Sequence, residues 1–445
     1  MQAWGEHLFR SDLPELPGLD NLQMPKGVIA EAEALAAKTF GAQQTWFLVN
    51  GSTVGVLASI LATCDPGDKL LLPRTVHQSA IAACVLSGAV PIFLMPAYDA
   101  ELDVVGTPTL DAIEQALFEH PDVRAIFLVS PTYEGICADL GAIARLAHAH
   151  DLPLLVDEAH GPHFGFHPGL PPSALQSGAD VVVQSTHKVL SSLTQAAMLH
   201  QQDKRVDHQR LSQALQLLQT TSPSYLLLAS LDAARDQMAC EGYQLLDQTV
   251  SLAQAVRQNL QGLPSLRVFA NTGPGFATYD PTRLIVNVAQ LGCTGFAADE
   301  WLDRKGVTAE LPSLNNLTFL FSLGNTTRDA DRLLAGLLQL AADPPQRDAS
   351  GCVLLGGSLW TGSAELGRSP RDAFFGQRRQ SPLRQAIGAW SAELVCPYPP
   401  GIPVLLPGEQ VSAAAVDYLL QVQAAGGTIS GCADPHLQTL QILDV

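Results

Sequence analysis

Lys188 ends the run Val181-Val182-Val183-Gln184-Ser185-Thr186-His187, three β-branched apolar residues followed by a short polar turn. The run reads as a buried strand. A primary amine delivered to the end of a core strand must find a charge partner, lose basicity or be neutralised covalently, and a Schiff base with an aldehyde cofactor does the last. Lys26, Lys38, Lys69, Lys204 and Lys305 sit in polar or helical contexts that suit a solvated ammonium. The competing reading of Lys188 is a side chain that snorkels to the surface from the strand end.

Upstream, Leu152-Pro153-Leu154-Leu155-Val156 is a second apolar strand, ending in Asp157, 31 residues before Lys188. A βαβ unit has about that length, which puts the aspartate and the lysine at the carboxyl edge of one parallel sheet. Pyridoxal phosphate needs both, an amine for its aldehyde and a carboxylate against its ring nitrogen to keep the ring an electron sink. A strand-end aspartate alone is more often a helix cap or a metal ligand.

Further candidates lie at the same kind of junction. A strand at residues 45–49 runs into Asn50-Gly51-Ser52-Thr53-Val54-Gly55 and an apolar helix, where small residues, two hydroxyls and a helix dipole suit a phosphate. Ser52 or Thr53 acting as N-cap would explain the same residues. His77, between a strand at 69–73 and a helix at 80–87, could stack on a flat ring or cap the helix locally. His160, His163 and His167 invite a metal reading, but prolines interrupt the spacing and no single helix face carries all three, so no metal is expected.

The elements that must position these residues alternate strand and helix from about 45 to 200, the sign of an α/β doubly wound, mostly parallel sheet. Helices are expected at Val28–Phe40, 109–119 and 140–150, and strands at 90–94 and 123–129. Glutamine and leucine then alternate on a helical period over 206–231, a long helix at 237–260 links to a smaller α+β domain, and 341–351 reads as a linker. Beyond it come an apolar run at 353–355 and helices at 383–393 and 411–424. The divisions are an N-terminal arm and helix at 1–40, a cofactor-binding large domain at 41–235, the small domain at 236–340 and an appended domain at 341–445.

With 445 residues, 47% of them hydrophobic, the chain can bury a large core. A net charge of −18 argues against nucleic acid and anionic membrane surfaces and suits a cationic ligand. Eight cysteines without a C-x-x-C pair read as reduced thiols, and neither a leader nor a run of about eighteen apolar residues is evident. A cytoplasmic location is expected.

On these residues the chain resembles the Orn/Lys/Arg decarboxylases, bacterial pyridoxal-phosphate enzymes of the aspartate aminotransferase fold type. The resemblance runs from about residue 11 through LPGLDNL (16–22), FLVNGSTVG (47–55), RTVHQS (74–79), SPTYEG (130–135), VDEAHGPHFGFHP (156–168), QSTHK (184–188), LFSLGNTT (320–327) and YPPGIPVLLPGE (398–409). The last motif is that of the family's C-terminal domain, which assigns the appended segment to it. The resemblance implies that Lys188 holds the cofactor and Asp157 meets its ring nitrogen. It also implies that Ser52, Thr53, Ser185 and His187 hold the phosphate, that His77 stacks on the ring and that Ala159 and His160 line the other face. Glu310 resembles the acid that meets the substrate's distal cation; by itself it reads equally as a strand-edge carboxylate. The implied reaction is α-decarboxylation of arginine or lysine, with ornithine possible, to agmatine, cadaverine or putrescine, in a homodimer with shared sites; Lys188 or His77 could supply the proton that replaces CO₂.

The family's pattern has a His-x-Pro-Gly-His segment near the active site, whereas residues 1–10 offer only Gly5-Glu6-His7; either the start lies further upstream or that loop's role is absent, which would alter activity or substrate preference. The response-regulator-like wing of the acid-inducible members is also not seen, and their decamer is not expected. Two other readings use the same residues. An aminotransferase or β-eliminating enzyme would need a small-domain arginine on the substrate carboxylate, with Arg283 and Arg328 as candidates, and a regulatory homologue would yield no amine. A nucleotide-binding protein is disfavoured because no G-x-G-x-x-G turn occurs.

Overall fold

The three valines before Lys188 are fully or almost fully buried and form the middle of a seven-stranded sheet. The computed structural model describes residues 5–16, 18–202, 204–345, 366–398 and 401–444. The sheet's strands are β1 (Gln44–Leu48), β2 (Lys69–Pro73), β3 (Val90–Leu94), β4 (Val123–Val129), β5 (Leu154–Asp157), β6 (Val181–Gln184) and β7 (Ala197–Gln201). Their spatial order is β1-β7-β6-β5-β4-β2-β3. The neighbours from β3 across to β6 pair in parallel, whereas β7 runs antiparallel to both β6 and β1. Helices cover both faces. Val28–Phe40, Leu110–Glu119, Leu140–Ala149 and the first part of a long helix bury one apolar layer, and Gly51–Thr63, Gln78–Ser87 and His208–Leu218 bury the other. This is the doubly wound, mostly parallel sheet expected from the strand–helix alternation.

Three local expectations differ from the structure. The connection from β5 to β6 contains no helix; it is a series of turns, because Gly161, Pro162, Gly165, Pro168, Gly169, Pro171 and Pro172 break any helical run. The glutamine–leucine pattern over 206–231 is two helices, His208–Leu218 and Tyr225–Leu260, separated by a stretch containing Pro223. The helix expected at 383–393 is a single 3₁₀ turn, Leu383–Ala386, which cannot continue because Gly388 takes a positive φ of 88°.

The 36-residue helix Tyr225–Leu260 belongs to two cores. Leu228, Leu231, Met238, Leu246 and Val250 pack in the sheet's layer, and Ala253, Val256 and Leu260 pack in the next. That second core lies under an antiparallel sheet ordered Arg267–Val268, Arg283–Asn287, Asn316–Leu320, Leu311–Pro312, with helices Gly295–Asp303 and Thr327–Ala342 against it. The last part of the chain has its own small core around helix Ala413–Ala424 and the strand pairs Arg378–Pro382 with Thr439–Leu443 and Cys396–Tyr398 with Thr428–Ser430. The apolar run at 353–355 and the end of the linker at 346–351 lie outside the described residues.

One buried acid makes stability depend on pH. Glu33, 2% exposed on helix Val28–Phe40, accepts a hydrogen bond from the Phe47 amide (2.9 Å), and burial pushes its carboxyl up to about 8. The folded protein therefore keeps a proton that the unfolded chain releases from about pH 4.5 upward, so stability falls as pH rises toward 8. Glu33→Gln removes this contribution to the slope, leaving that of Glu158, which burial also pushes up to about 8. At about 1.4 kcal/mol per pH unit, the wild type loses on the order of 4 kcal/mol more than the variant between pH 5 and pH 8, as read by denaturant unfolding at both. Equal losses in the two proteins would refute it.

Candidate active site

Adjacent parallel strands deliver the aspartate and the lysine to one edge. Asp157 is paired in register with Val183, so β5 ends beside β6, and Lys188 follows within the single helical turn Thr186–Val189. The two charges act on each other through a buried space. Burial raises the Asp157 carboxyl while Lys188 opposes that rise, and burial lowers the Lys188 ammonium while Asp157 opposes the fall. Asp157 Oδ1 accepts from the Ala159 amide (3.0 Å). Its Oδ2 has no hydrogen-bond partner among the described residues, which leaves this buried residue with an acceptor for a cationic or N–H donor.

The anion turn is built from three elements. Helix Gly51–Thr63 starts immediately after Asn50, whose side chain caps nothing in it and instead accepts from the Thr220 amide (3.0 Å). Ser52 and Thr53 therefore lie inside the first turn, where backbone N–H groups have no intrahelical partner. Ser185 Oγ donates to Ser52 Oγ at 2.6 Å, so two of the expected phosphate residues meet across β6 and the helix start. Gly55 permits this closeness: a Cβ there would sit 2.7 Å from Val183 Cγ1 and 2.8 Å from Leu48 Cδ1. Thr53 is exposed at the same turn, and His187 is half-buried, its amide bonded to the Ala196 carbonyl (3.2 Å).

His77 fulfils its capping reading. It is the N-cap of helix Gln78–Ser87, with Nδ1 3.3 Å from the Ser79 amide and 2.8 Å from Ser79 Oγ, and burial brings its imidazole down to about 4, so the ring is neutral at pH 7. The C-terminal domain reaches this point. The Gln78 amide donates to the Gly401 carbonyl (3.3 Å), and Gly401 lies against the His77 ring edge. Three residues earlier, the buried Arg74 donates to the carbonyls of Pro403 (2.7 Å) and Val404 (3.0 Å) and to both oxygens of Glu409.

His160 connects the lysine to the small domain. Its Nε2 is 3.1 Å from Lys188 Nζ and its Nδ1 is 2.7 Å from an Arg283 terminal nitrogen, and its ring packs edge-on to Tyr133 at 5.0 Å. Burial, then the Lys188 and Arg283 charges, hold the imidazole well below its ordinary range. Arg283 crosses from the small domain, gives its other terminal nitrogen to the Tyr133 carbonyl (2.7 Å), and passes Gly135 so closely that a Cβ there would be 2.7 Å from its Cδ. Ala159, buried, precedes His160 in the loop. Glu310 is exposed on its strand edge, and its charge favours the protonated Lys188. The other two histidines point elsewhere: His163 is buried against Asp280 (3.1 Å), and His167 meets Asp247 (3.3 Å). Among the described residues no three His, Cys, Asp or Glu side chains are grouped to hold a metal ion.

The paired functions of Tyr133, Arg74 and Gly401 escaped sequence reasoning. Their motifs, SPTYEG, RTVHQS and YPPGIP, marked the segments, but not which side chain meets which.

Comparison with known proteins places this geometry in context. Residues 1–278 match the Orn/Lys/Arg decarboxylase major domain, and residues 369–436 match the C-terminal domain of the same family. The chain is 40% identical over 449 residues to an arginine decarboxylase of Bacillus subtilis (strain 168), covering 99% of this chain and 91% of that one. An arginine decarboxylase of Bacillus anthracis is 39% identical over 447 residues, covering 99% and 90%. The crystal structure of a lysine decarboxylase of Francisella novicida superposes with a TM-score of 0.86 at 23% identity, covering 100% of this chain and 76% of that one, a likeness of fold.

Proposed function

Since the chain belongs to the Orn/Lys/Arg decarboxylase family, we propose that it removes the α-carboxyl of a basic amino acid, arginine first, with pyridoxal phosphate as cofactor. The observation that carries the reading is the pairing of Lys188, whose ammonium is disfavoured by burial, with the buried Asp157, whose Oδ2 has no hydrogen-bond partner among the described residues. When bound, the cofactor accepts the electron pair left on Cα as CO₂ departs. The first turn at Ser52 and Thr53, with Ser185 and His187, suits its phosphate; Asp157 suits its ring nitrogen; His77, Ala159 and His160 suit its faces. Lys188 would supply the amine that holds the aldehyde. Glu310, whose charge reaches both Lys188 and Arg283, suits the far cation of the substrate.

Arg283 bears on the rival chemistry. Its two terminal nitrogens are engaged by Tyr133 and His160, and Arg328 is exposed at the start of helix Thr327–Ala342. Neither therefore stands ready to clamp a substrate carboxylate, which supports loss of that group over transamination. A homodimer in the cytoplasm completes the proposal, and no disulfide joins the described cysteines, which is consistent with a reducing compartment.

The test is to supply pyridoxal phosphate and measure CO₂ and amine from arginine, lysine and ornithine separately. Arginine should give agmatine fastest. A faster release of cadaverine would overturn the choice of substrate, and a keto acid with no CO₂ would overturn the reaction. Glu310→Gln should raise KM for arginine about 10-fold with a smaller change in kcat, the signature of lost binding to a substrate charge. An unchanged KM would remove Glu310 from the site.

A further inference from the structure

The hydrogen bonds around His160 have a direction. An arginine guanidinium has donors only, so the 2.7 Å contact from Arg283 requires a lone pair on His160 Nδ1. A neutral imidazole with Nδ1 unprotonated carries its proton on Nε2, and that nitrogen is 3.1 Å from Lys188 Nζ. The Nε2–H then donates, and Nζ must accept, which an ammonium has no lone pair to do. We infer that Arg283 locks the His160 tautomer and that His160 in turn holds the Lys188 side chain as a free amine in the cofactor-free protein.

Arg283 is held for this task from behind. Its second terminal nitrogen is fixed by the Tyr133 carbonyl, and its Nε lies 3.9 Å from Asp280 Oδ2, on an aspartate anchored by Thr282. The groups that act on Lys188 oppose one another. Asp157 and Glu310 favour the ammonium, while Arg283 and burial disfavour it. Burial, the largest influence on all three, disfavours the charged forms of His160, His187 and His77. A free amine is the form that attacks an aldehyde, so the arrangement prepares Lys188 to capture cofactor without first shedding a proton to solvent. His160 touches the reacting nitrogen and is a catalytic residue in this sense; Arg283 acts through it and is a positioning residue. The polarity follows from geometry alone, whereas its use in cofactor capture rests on the decarboxylase reading.

Two measurements on cofactor-free protein test it. With ¹⁵N-labelled histidine, the His160 resonances, identified by their shift in Lys188→Ala, should show an unprotonated Nδ1 and a protonated Nε2 at pH 7; the opposite tautomer overturns the inference. Labelling of lysines by an amine-reactive acylating reagent, quantified by mass spectrometry across pH, should give Lys188 a midpoint below that of exposed lysines. His160→Phe keeps the Arg283 charge and removes both ring nitrogens, and it should raise the Lys188 midpoint by one pH unit or more, about a 10-fold loss of free amine at a given pH. An unchanged midpoint in a folded variant overturns the relay, and if the variant does not fold the tautomer measurement decides. The correct tautomer without amine release from any basic amino acid would refute the decarboxylase reading and leave the relay standing.

Discussion

Lys188→Ala leaves a folded protein that develops no visible absorbance with pyridoxal phosphate and turns over none of its substrates, with kcat reduced on the order of 10³-fold or more. Folding survives because the Lys188 side chain makes one hydrogen bond, to His160, and because the Ser185–Lys188 backbone turn does not depend on it. The loss is chemical, since no other described amine is coupled to Asp157 in the buried space between β5 and β6. Absorbance spectra with cofactor, alongside circular dichroism to verify the fold, make the check. A variant that keeps the visible band would show that another amine holds the cofactor, and the assignment of the whole site would fall with it.

Arg74→Ala has the largest expected effect on stability. Its guanidinium and the Glu409 carboxylate are 6% and 10% exposed, 2.8 Å apart, and Glu409 Oε2 also accepts from the Leu406 amide (3.0 Å). Removing the cation leaves Glu409 and the carbonyls of Pro403 and Val404 buried without their donors, a loss of about 3–5 kcal/mol. The damage is local to the junction between β2 and the C-terminal domain. Hydrogen exchange in residues 366–444 should accelerate well beyond that in the seven-stranded sheet, and activity should fall because Gly401 no longer backs His77. Arg74→Lys keeps the charge but cannot serve two carbonyls and a carboxylate at once, so it should fall between the variant and the wild type. Wild-type exchange in Arg74→Ala would mean that the ion pair does not hold the domain.

What the sequence made legible follows periodicity. The apolar runs of β1 to β6 and the polar turns after them were readable because a buried parallel strand is an uninterrupted apolar stretch, and the turn that follows it sits on the working edge. That placed Asp157, Ser185 and Lys188 together. β7 went unread because Ala197–Gln201 is a short run without a turn signal before it, and nothing local states that a strand will run against its neighbours. The break between His208–Leu218 and Tyr225–Leu260 was hidden by a leucine period that continues on both sides. The Arg74–Glu409 contact joins residues 335 apart in the chain, and the Arg283–His160 contact joins residues 123 apart. No pattern of neighbours encodes such pairs, although Arg283 stood out, with Arg328, as a candidate clamp for a substrate carboxylate.

The hydrogen bond from Gln78 to Gly401 has a consequence for synthesis. In synthesis Lys188 is made well before Gly401, the residue that backs His77, and the Arg378–Pro382 strand can pair only once Thr439–Leu443 has also been made. Maturation is thus tied to the synthesis of residue 401: a polypeptide stopped short of it would own the reactive amine but lack the wall that finishes the pocket.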